Sequence, residues 1–94
     1  MFFTPRVNVI ESDEGFSVEV LGPDRVLYVE GPRSVHIESE YLMGPSGLVI
    51  YPSSIKRWDS PYSNDLIDKA TRESIVENIR RAFRFSGREI AVDW

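Results

Sequence analysis

Residues 68–86 constrain the fold most strongly, because they have the pattern of one long amphipathic helix. No proline or glycine occurs from Lys69 until Gly87. At about 100° per residue, the apolar side chains of this segment fall on one side and its charged side chains on the other. The apolar set is Ile75, Val76, Ile79, Ala82 and Phe83. Asp68 suits the N-cap and Gly87 the left-handed residue that closes a helix. Since one helix cannot bury this stripe alone, we expect the preceding residues to form a sheet beneath it.

Short alternating or apolar segments before the helix predict β-strands. The predicted strands cover residues 7–11, 16–20, 25–30, 34–39 and 48–51, and a last strand follows the helix at 89–94. Gly-Pro pairs at 22–23, 31–32 and 44–45 mark corners between strands. We therefore predict one α+β domain spanning residues 1–94. It would be a mostly antiparallel β-meander of about five strands, followed by one long α-helix packed on the sheet and a short C-terminal strand.

The composition limits the class of partner. The chain has no cysteine, which excludes disulfides and thiolate metal sites, and no apolar run long enough to span a bilayer. Small secreted domains are usually disulfide-stapled, so we expect a cytoplasmic protein. Residues 1–47 carry three Lys/Arg against eight Asp/Glu. That balance disfavours nucleic acid and membrane surfaces and favours a basic protein partner, although mild acidity is also ordinary for small soluble domains.

No set of catalytic residues stands out in the sequence. His36 is the sole histidine and falls on the polar face of its strand, so we expect it to be solvated. Glu38 and Glu40 lie on one side of an extended chain and could act as an acid–base pair, but exposed acidic strand faces are far commoner. We therefore predict no catalytic residues, no cofactor and no metal site.

An aromatic-rich loop at residues 51–62 is the most informative irregular segment. Trp58, Arg57 and the tyrosines at 51 and 62 are of residue types that dominate protein interfaces, which favours a binding loop that also carries Lys56. Alternatively, Ile55 and Trp58 lie three apart on one helical turn and plug the open end of the sheet. Arg72 also has two interpretations. Its stem packs while its guanidinium reaches water, or it turns inward and pairs with an acid of the sheet.

The second half of the chain resembles a known family. The matching pattern runs through Gly47-Leu48-Val49-Ile50-Tyr51, Ser54-Ile55-Lys56-Arg57-Trp58, Pro61-Tyr62, the acid-capped helix and the closing strand after Gly87. This pattern is similar to that of the small bacterial immunity proteins of polymorphic toxin systems, of the type numbered seventy-four. The resemblance implies a non-enzymatic cytoplasmic protein that binds and neutralises a cognate toxin domain.

Two functional hypotheses follow from these patterns. The first is a toxin-binding immunity protein that uses either the acidic strands or the basic-aromatic loop as its contact surface. Its candidate partner-binding residues are Glu30, Glu38, Glu40, Lys56, Arg57 and Trp58. The second is a protein-interaction or homo-oligomeric module without a toxin, in which the edge strand at residues 90–94 pairs with itself across a two-fold axis as a homodimer.

Overall fold

The computed structural model describes residues 1–42 and 47–94 and contains one seven-stranded sheet with a long helix. The strands follow one another in space in the order of the sequence, and every neighbouring pair is antiparallel except the last, which is parallel. The elements are β1 (Phe2–Arg6), β2 (Val9–Ser12), β3 (Phe16–Gly22), β4 (Arg25–Glu30), β5 (Arg33–Tyr41), β6 (Leu48–Ile50), α1 (Lys69–Phe85) and β7 (Ala91–Val92). The predicted α+β fold is confirmed, with slightly more strands than the meander of about five.

The N-terminal strand pair differs from the predicted single strand at residues 7–11. Val7 and Asn8 form a turn between β1 and β2, with Val7 86% exposed and Asn8 at a φ of 68°. Asparagine tolerates this left-handed region better than most residues. Pro5 obscures β1 in the sequence because proline is depleted in strands and is found mainly at sheet edges. The pairing of β1 with β2 is also irregular between Phe3 and Arg6.

Two of the three Gly-Pro pairs lie at hairpin connections, as predicted. Glu30 pairs with Arg33 across the Gly31-Pro32 connection, where Gly31 has a φ of 60°. A positive φ at the first central residue suits the twist of a two-residue hairpin. The connection between β3 and β4 is Pro23-Asp24, because Gly22 itself pairs with Arg25. The third pair, Gly44-Pro45, lies outside the described residues.

The helix has both predicted caps. A side-chain oxygen of Asp68 accepts from the backbone N–H of Thr71 at 2.7 Å, and this hydrogen bond lowers the pKa of the carboxyl group. At the other end Gly87 has a φ of 81°. The N–H groups of Gly87 and Arg88 donate to the carbonyls of Arg84 and Phe83, which is the Schellman arrangement.

The core lies between α1 and one face of the sheet. All five apolar helix residues are buried against it. From the sheet, Val18, Val26, Tyr28 and Ile37 are at most 1% exposed. Each fully buried large apolar side chain contributes about 1.5–3 kcal/mol, so the helix is held by its packing. No helix in the described part of the chain is long and apolar enough to cross a membrane.

The segment between β6 and α1 lies along the edge of β5 and then returns to the helix. It contains a short 3-10 helix at Pro52–Ser54 and a bridge between Arg57 and Leu66. Ile55 and Trp58 follow the 3-10 helix instead of sharing a helical turn of their own, so that geometric prediction is wrong. Both are nevertheless buried in the core, at 0% and 6% exposure.

The C-terminal strand is shorter than the predicted segment at 89–94. Only Ala91 and Val92 pair with β6, and the backbone N–H of Asp93 adds one bond to the carbonyl of Ile50. Ile90 is buried, whereas Trp94 is 64% exposed. The terminal tryptophan therefore lies outside the core, although the alternation of residues 90–94 groups it with Ile90.

Candidate functional site

The side chains of β5 alternate between the core and solvent. Val35, Ile37 and Ser39 are buried, whereas His36, Glu38 and Glu40 are exposed. Because neighbouring strand residues point to opposite sides, the exposed set faces away from the helix. This surface carries two of the predicted partner-binding residues, Glu38 and Glu40, side by side along one strand.

The start of the following loop fixes both glutamates. The Tyr51 hydroxyl donates to Glu40 Oε2 at 2.6 Å, and this bond raises the pKa of Tyr51 above its ordinary value. The backbone N–H of Tyr51 donates to the Glu38 carbonyl at 3.0 Å. The Glu38 N–H in turn donates to the Ser54 hydroxyl at 3.0 Å. The strand and the start of the loop are therefore joined by hydrogen bonds, and we call their solvent-accessible residues the β5–loop surface (Glu38, Glu40, Tyr51, Lys56 and Arg57).

A second set of contacts ties the loop to the beginning of β5. Asp59 Oδ2 lies 2.7 Å from His36 Nδ1 and accepts from the Ser34 hydroxyl at 3.3 Å. The Asp59 N–H donates to the Ser34 carbonyl at 2.7 Å. His36 is thus partly exposed, as predicted, but it also has a carboxylate partner. A serine, a histidine and an aspartate meet here without the order of a nucleophilic triad, because Ser34 bonds to the aspartate and not to the histidine.

Arg33 extends this attachment toward the far end of the loop. Its NH2 group lies 3.0 Å from Asp65 Oδ2, and its guanidinium sits 5.2 Å from the centroid of the Tyr62 ring. Both partners of the ion pair are about half exposed, so the bond itself contributes ~1 kcal/mol or less. Together with Asp59, these contacts hold residues 59–65 against β5 and limit the conformations of the loop.

Trp58 lies beneath this surface, while its two basic neighbours lie on it. Trp58 is 6% exposed, whereas Lys56 and Arg57 are both exposed. The backbone N–H of Trp58 donates to the Asp65 carbonyl at 3.3 Å, and the Lys56 carbonyl accepts from the Ile67 N–H at 2.9 Å. The tryptophan therefore holds the loop from below, as the packing interpretation expects, and the two cations remain available to solvent.

Glu30 lies elsewhere, on the face of the sheet that the helix covers. It shares that face with Tyr28, whose hydroxyl donates to Glu30 Oε1 and accepts from Asn78 Nδ2 at 2.9 Å. Burial, reinforced by the bond to Glu30, raises the pKa of Tyr28 far above its ordinary value. The three acidic strand residues that the sequence groups together are therefore divided between opposite faces.

The Tyr28 hydrogen bonds continue along the helix to the connection between β2 and β3. Arg81 NH1 donates to Asn78 Oδ1 at 3.4 Å, and Arg81 also forms two hydrogen bonds with the Glu14 carboxylate. These bonds lower the pKa of Glu14 and raise that of Arg81. Arg81 lies 5.5 Å from the centroid of the Phe2 ring. The chain from Glu30 to Glu14 therefore fastens α1 to two connections of the sheet.

Arg72 has partners that neither of its two predicted arrangements includes. It is half-buried, and its Nε donates to the Ile55 carbonyl at 2.8 Å while its NH2 donates to the Ile67 carbonyl at 3.3 Å. The partners are thus main-chain oxygens at the two ends of the loop and not an acid of the sheet. It fixes the base of the β5–loop surface to the first turn of α1.

The sequence alone misses Tyr51, Ser54 and Asp59 as organisers of this surface. Their partners on β5 lie between 11 and 25 residues away, and no local pattern encodes such pairings. The only sequence signal for them is the concentration of polar and aromatic residues within one loop. Among the described residues, no three His, Cys, Asp or Glu side chains come together as a metal site would require.

The fold and this surface define a small α+β protein whose exposed acidic strand is held rigid by the loop beside it. Residues 18–93 match the family described as Immunity protein 74, and the chain belongs to that family. No curated protein and no solved structure matches the chain. The match begins inside β3, so β1 and β2 precede the matched region.

Proposed function

We propose that this protein is a non-enzymatic immunity protein that binds and neutralises a cognate bacterial toxin domain in the cytoplasm. The observation that carries the proposal is the family match, which extends over residues 18–93 and includes β5, the loop and α1. The charge of the matched strands supports a partner with a basic contact surface, because complementary potentials speed encounter and fix the docking register.

The β5–loop surface is the contact surface we propose for the toxin. Glu38 and Glu40 are exposed, and the Tyr51 hydroxyl holds the Glu40 carboxylate, so Glu40 has less side-chain freedom to lose on binding. Lys56 and Arg57 follow Ser54 in the chain and are both exposed, so the proposed surface carries charges of both signs and the basic part of the toxin is expected opposite Glu38 and Glu40. Trp58 contributes by supporting the loop from the core. Glu30, on the opposite face, is proposed to stabilise the fold and to make no toxin contact.

The proposal is tested with the product of the adjacent upstream reading frame, expressed as an inactivated toxin variant and titrated calorimetrically with this protein. A one-to-one complex of nanomolar affinity is the expected result. Glu38→Gln and Glu40→Gln should weaken it mainly through a faster off-rate. Glu73→Gln is the matched control, because it makes the same charge change on the exposed side of α1.

Two other outcomes would count against the proposal. Absence of both heat and co-elution would reject the toxin partner. Equal losses for Glu38→Gln, Glu40→Gln and Glu73→Gln would retain the partner and reject the β5–loop surface. The homo-oligomeric alternative is checked in the same samples by light scattering. β7 pairs over only two residues, and short edge strands are poor templates for self-pairing, so we expect a monomer.

A further inference from the structure

A groove opens between the N-terminal hairpin and the C-terminal end of α1. Its volume is about 470 Å³, within the range of about 300–1,000 Å³ of small-molecule sites. The floor is apolar and is formed by Val9, Ile10, Val18 and Phe83, each at most 7% exposed. Val7 and Val20 extend the apolar part, and the other lining residues are polar or charged, so the groove could accommodate a molecule with an apolar and a polar end.

The charged side chains that line this groove have one sign. Arg6 and Arg88 are among the lining residues, and no Asp or Glu is among those the structure describes. This contrasts with the chain as a whole, whose formal net charge is −4. Arg6 lies 3.6 Å from Glu19 and is 70% exposed, so that pairing is loose. Arg88 is exposed, and within the described residues its guanidinium has no carboxylate inside 4.0 Å.

The helix end beside the groove does not offset these two cations. The carbonyls at a helix C-terminus carry partial negative charge, which disfavours a nearby anion. Here the Phe83 carbonyl accepts from Ser86 N–H, Ser86 Oγ–H and Arg88 N–H, and the Arg84 carbonyl accepts from Gly87 N–H. These two carbonyls therefore already have donors, and Arg6 and Arg88 are the charged residues of the groove lining.

We propose that this arginine-rimmed groove binds a small apolar carboxylic acid. Arg88 pairs with the carboxylate, since a guanidinium matches its geometry, Arg6 adds positive charge to the lining, and the apolar tail lies against Val18 and Phe83. Residues 4–10, which supply six of the lining positions, precede the region matched by the family. The groove therefore lies partly outside the matched region, and the proposal does not rest on the proposed toxin binding.

The test titrates three probes of equal chain length into the isolated protein and follows the backbone amide signals by NMR. Octanoate should shift the amides of residues 8–10, 18 and 86–88 in a saturable manner. Octylammonium and octanol should bind at least about tenfold more weakly, because they lack the charge that the arginines pair with. Toxin is absent throughout, so a failure here leaves the proposed function untouched.

Variants identify the groups responsible. Arg88→Gln should weaken octanoate binding about tenfold and Arg6→Gln by less, since Arg6 is shared with Glu19. Lys69→Gln, which removes an exposed cation at the start of α1, should leave octanoate binding unchanged. Both rim arginines are exposed, so these variants are expected to fold normally, and the unchanged amide spectrum checks that. Equal binding of octanoate and octylammonium, shifts outside the groove, or an unaffected Arg88→Gln would each overturn the proposal.

Discussion

Within residues 1–42 and 47–94, two tyrosine–glutamate hydrogen bonds occur, in opposite environments. Tyr28 donates to Glu30 beneath α1, where the tyrosine is fully buried, and Tyr51 donates to Glu40 on the open side of β5. In both cases the bond favours the protonated phenol and the pKa of the tyrosine is raised. Burial is the larger cause for Tyr28, whereas the glutamate is the larger cause for Tyr51.

The difference shows how one chemical pair serves two purposes. A buried hydroxyl that loses its partners leaves polar atoms without water, so the Tyr28 pair affects the stability of the whole fold. The Tyr51 pair remains in contact with solvent, and water can replace either partner. Its effect is therefore on the placement of Glu40 and on any complex that uses it. The following variants separate stability from surface organisation.

Tyr28→Phe should have the largest effect on stability. It removes the donor to Glu30 and leaves Asn78 Nδ2 without its acceptor, at a cost of about 1–3 kcal/mol in the free energy of unfolding. Urea denaturation followed by circular dichroism measures it. An unchanged midpoint would mean that water enters beside Asn78 and that the Tyr28 pair is no more structural than the Tyr51 pair.

Alkaline pH should reveal the contribution of the buried Tyr28 to the stability of the fold. A pKa raised in the folded state stabilises the fold fully below the ordinary tyrosine pKa of 10.0, and that contribution declines as the pH rises above it. Between the ordinary and the raised pKa, Tyr28 should reduce the free energy of unfolding by about 1.4 kcal/mol per pH unit. Comparing the wild-type protein with Tyr28→Phe in urea over this range isolates the slope. Parallel curves for the two proteins would exclude the linkage.

Glu30→Ala should cost about 1 kcal/mol, less than the loss of the tyrosine hydroxyl, because Asn78 still has its acceptor. Toxin affinity should not change, since Glu30 lies on the helix side of the sheet. Denaturation and calorimetry on the same preparation give both values. A loss of affinity without a loss of stability would reassign Glu30 to the contact surface.

Tyr51→Phe should have the smallest effect on stability, with no measurable change in the denaturation midpoint. It should nevertheless raise the off-rate of the toxin complex, because Glu40 loses the hydroxyl that positions it. Surface plasmon resonance measures the rate. Tyr41→Phe provides a control, because Tyr41 is an exposed tyrosine at the end of β5, the strand that carries Glu40. Identical off-rates for all three proteins would show that Glu40 needs no positioning.

The sequence predicts the parts of this fold that local rules determine. The apolar stripe, the Asp68 cap and the Gly87 closure of α1 are all encoded within a few residues, and all three are confirmed. β1 is not predicted, because Pro5 is atypical of a strand. Its pairing with β2, which is irregular in register, is evident only in the structure. A turn at Asn8 carries no glycine, so the boundary between the two strands is also displaced.

The candidate site depends on contacts that a linear pattern does not contain. Arg72 binds carbonyls of Ile55 and Ile67 from the helix, and Asn78 reaches Tyr28 across 50 residues. Alternation correctly places Glu38 and Glu40 on an exposed face. The separation of Glu30 from them follows from the same alternation of side chains. It becomes visible once β4 and β5 are paired and the face that α1 covers is known.

The order of the strands has a consequence for how the chain acquires its structure during synthesis. β1 to β5 are joined to their neighbours by short connections, so their pairing closes small loops and can begin as the chain emerges from the ribosome. The apolar face of this newly formed sheet stays exposed until residues 69–85 have been synthesised. β7 follows them in the chain, so it cannot pair with β6 earlier. Nascent chains truncated before α1 should therefore be susceptible to protease and to chaperone capture, and the protein becomes competent only with its last segment.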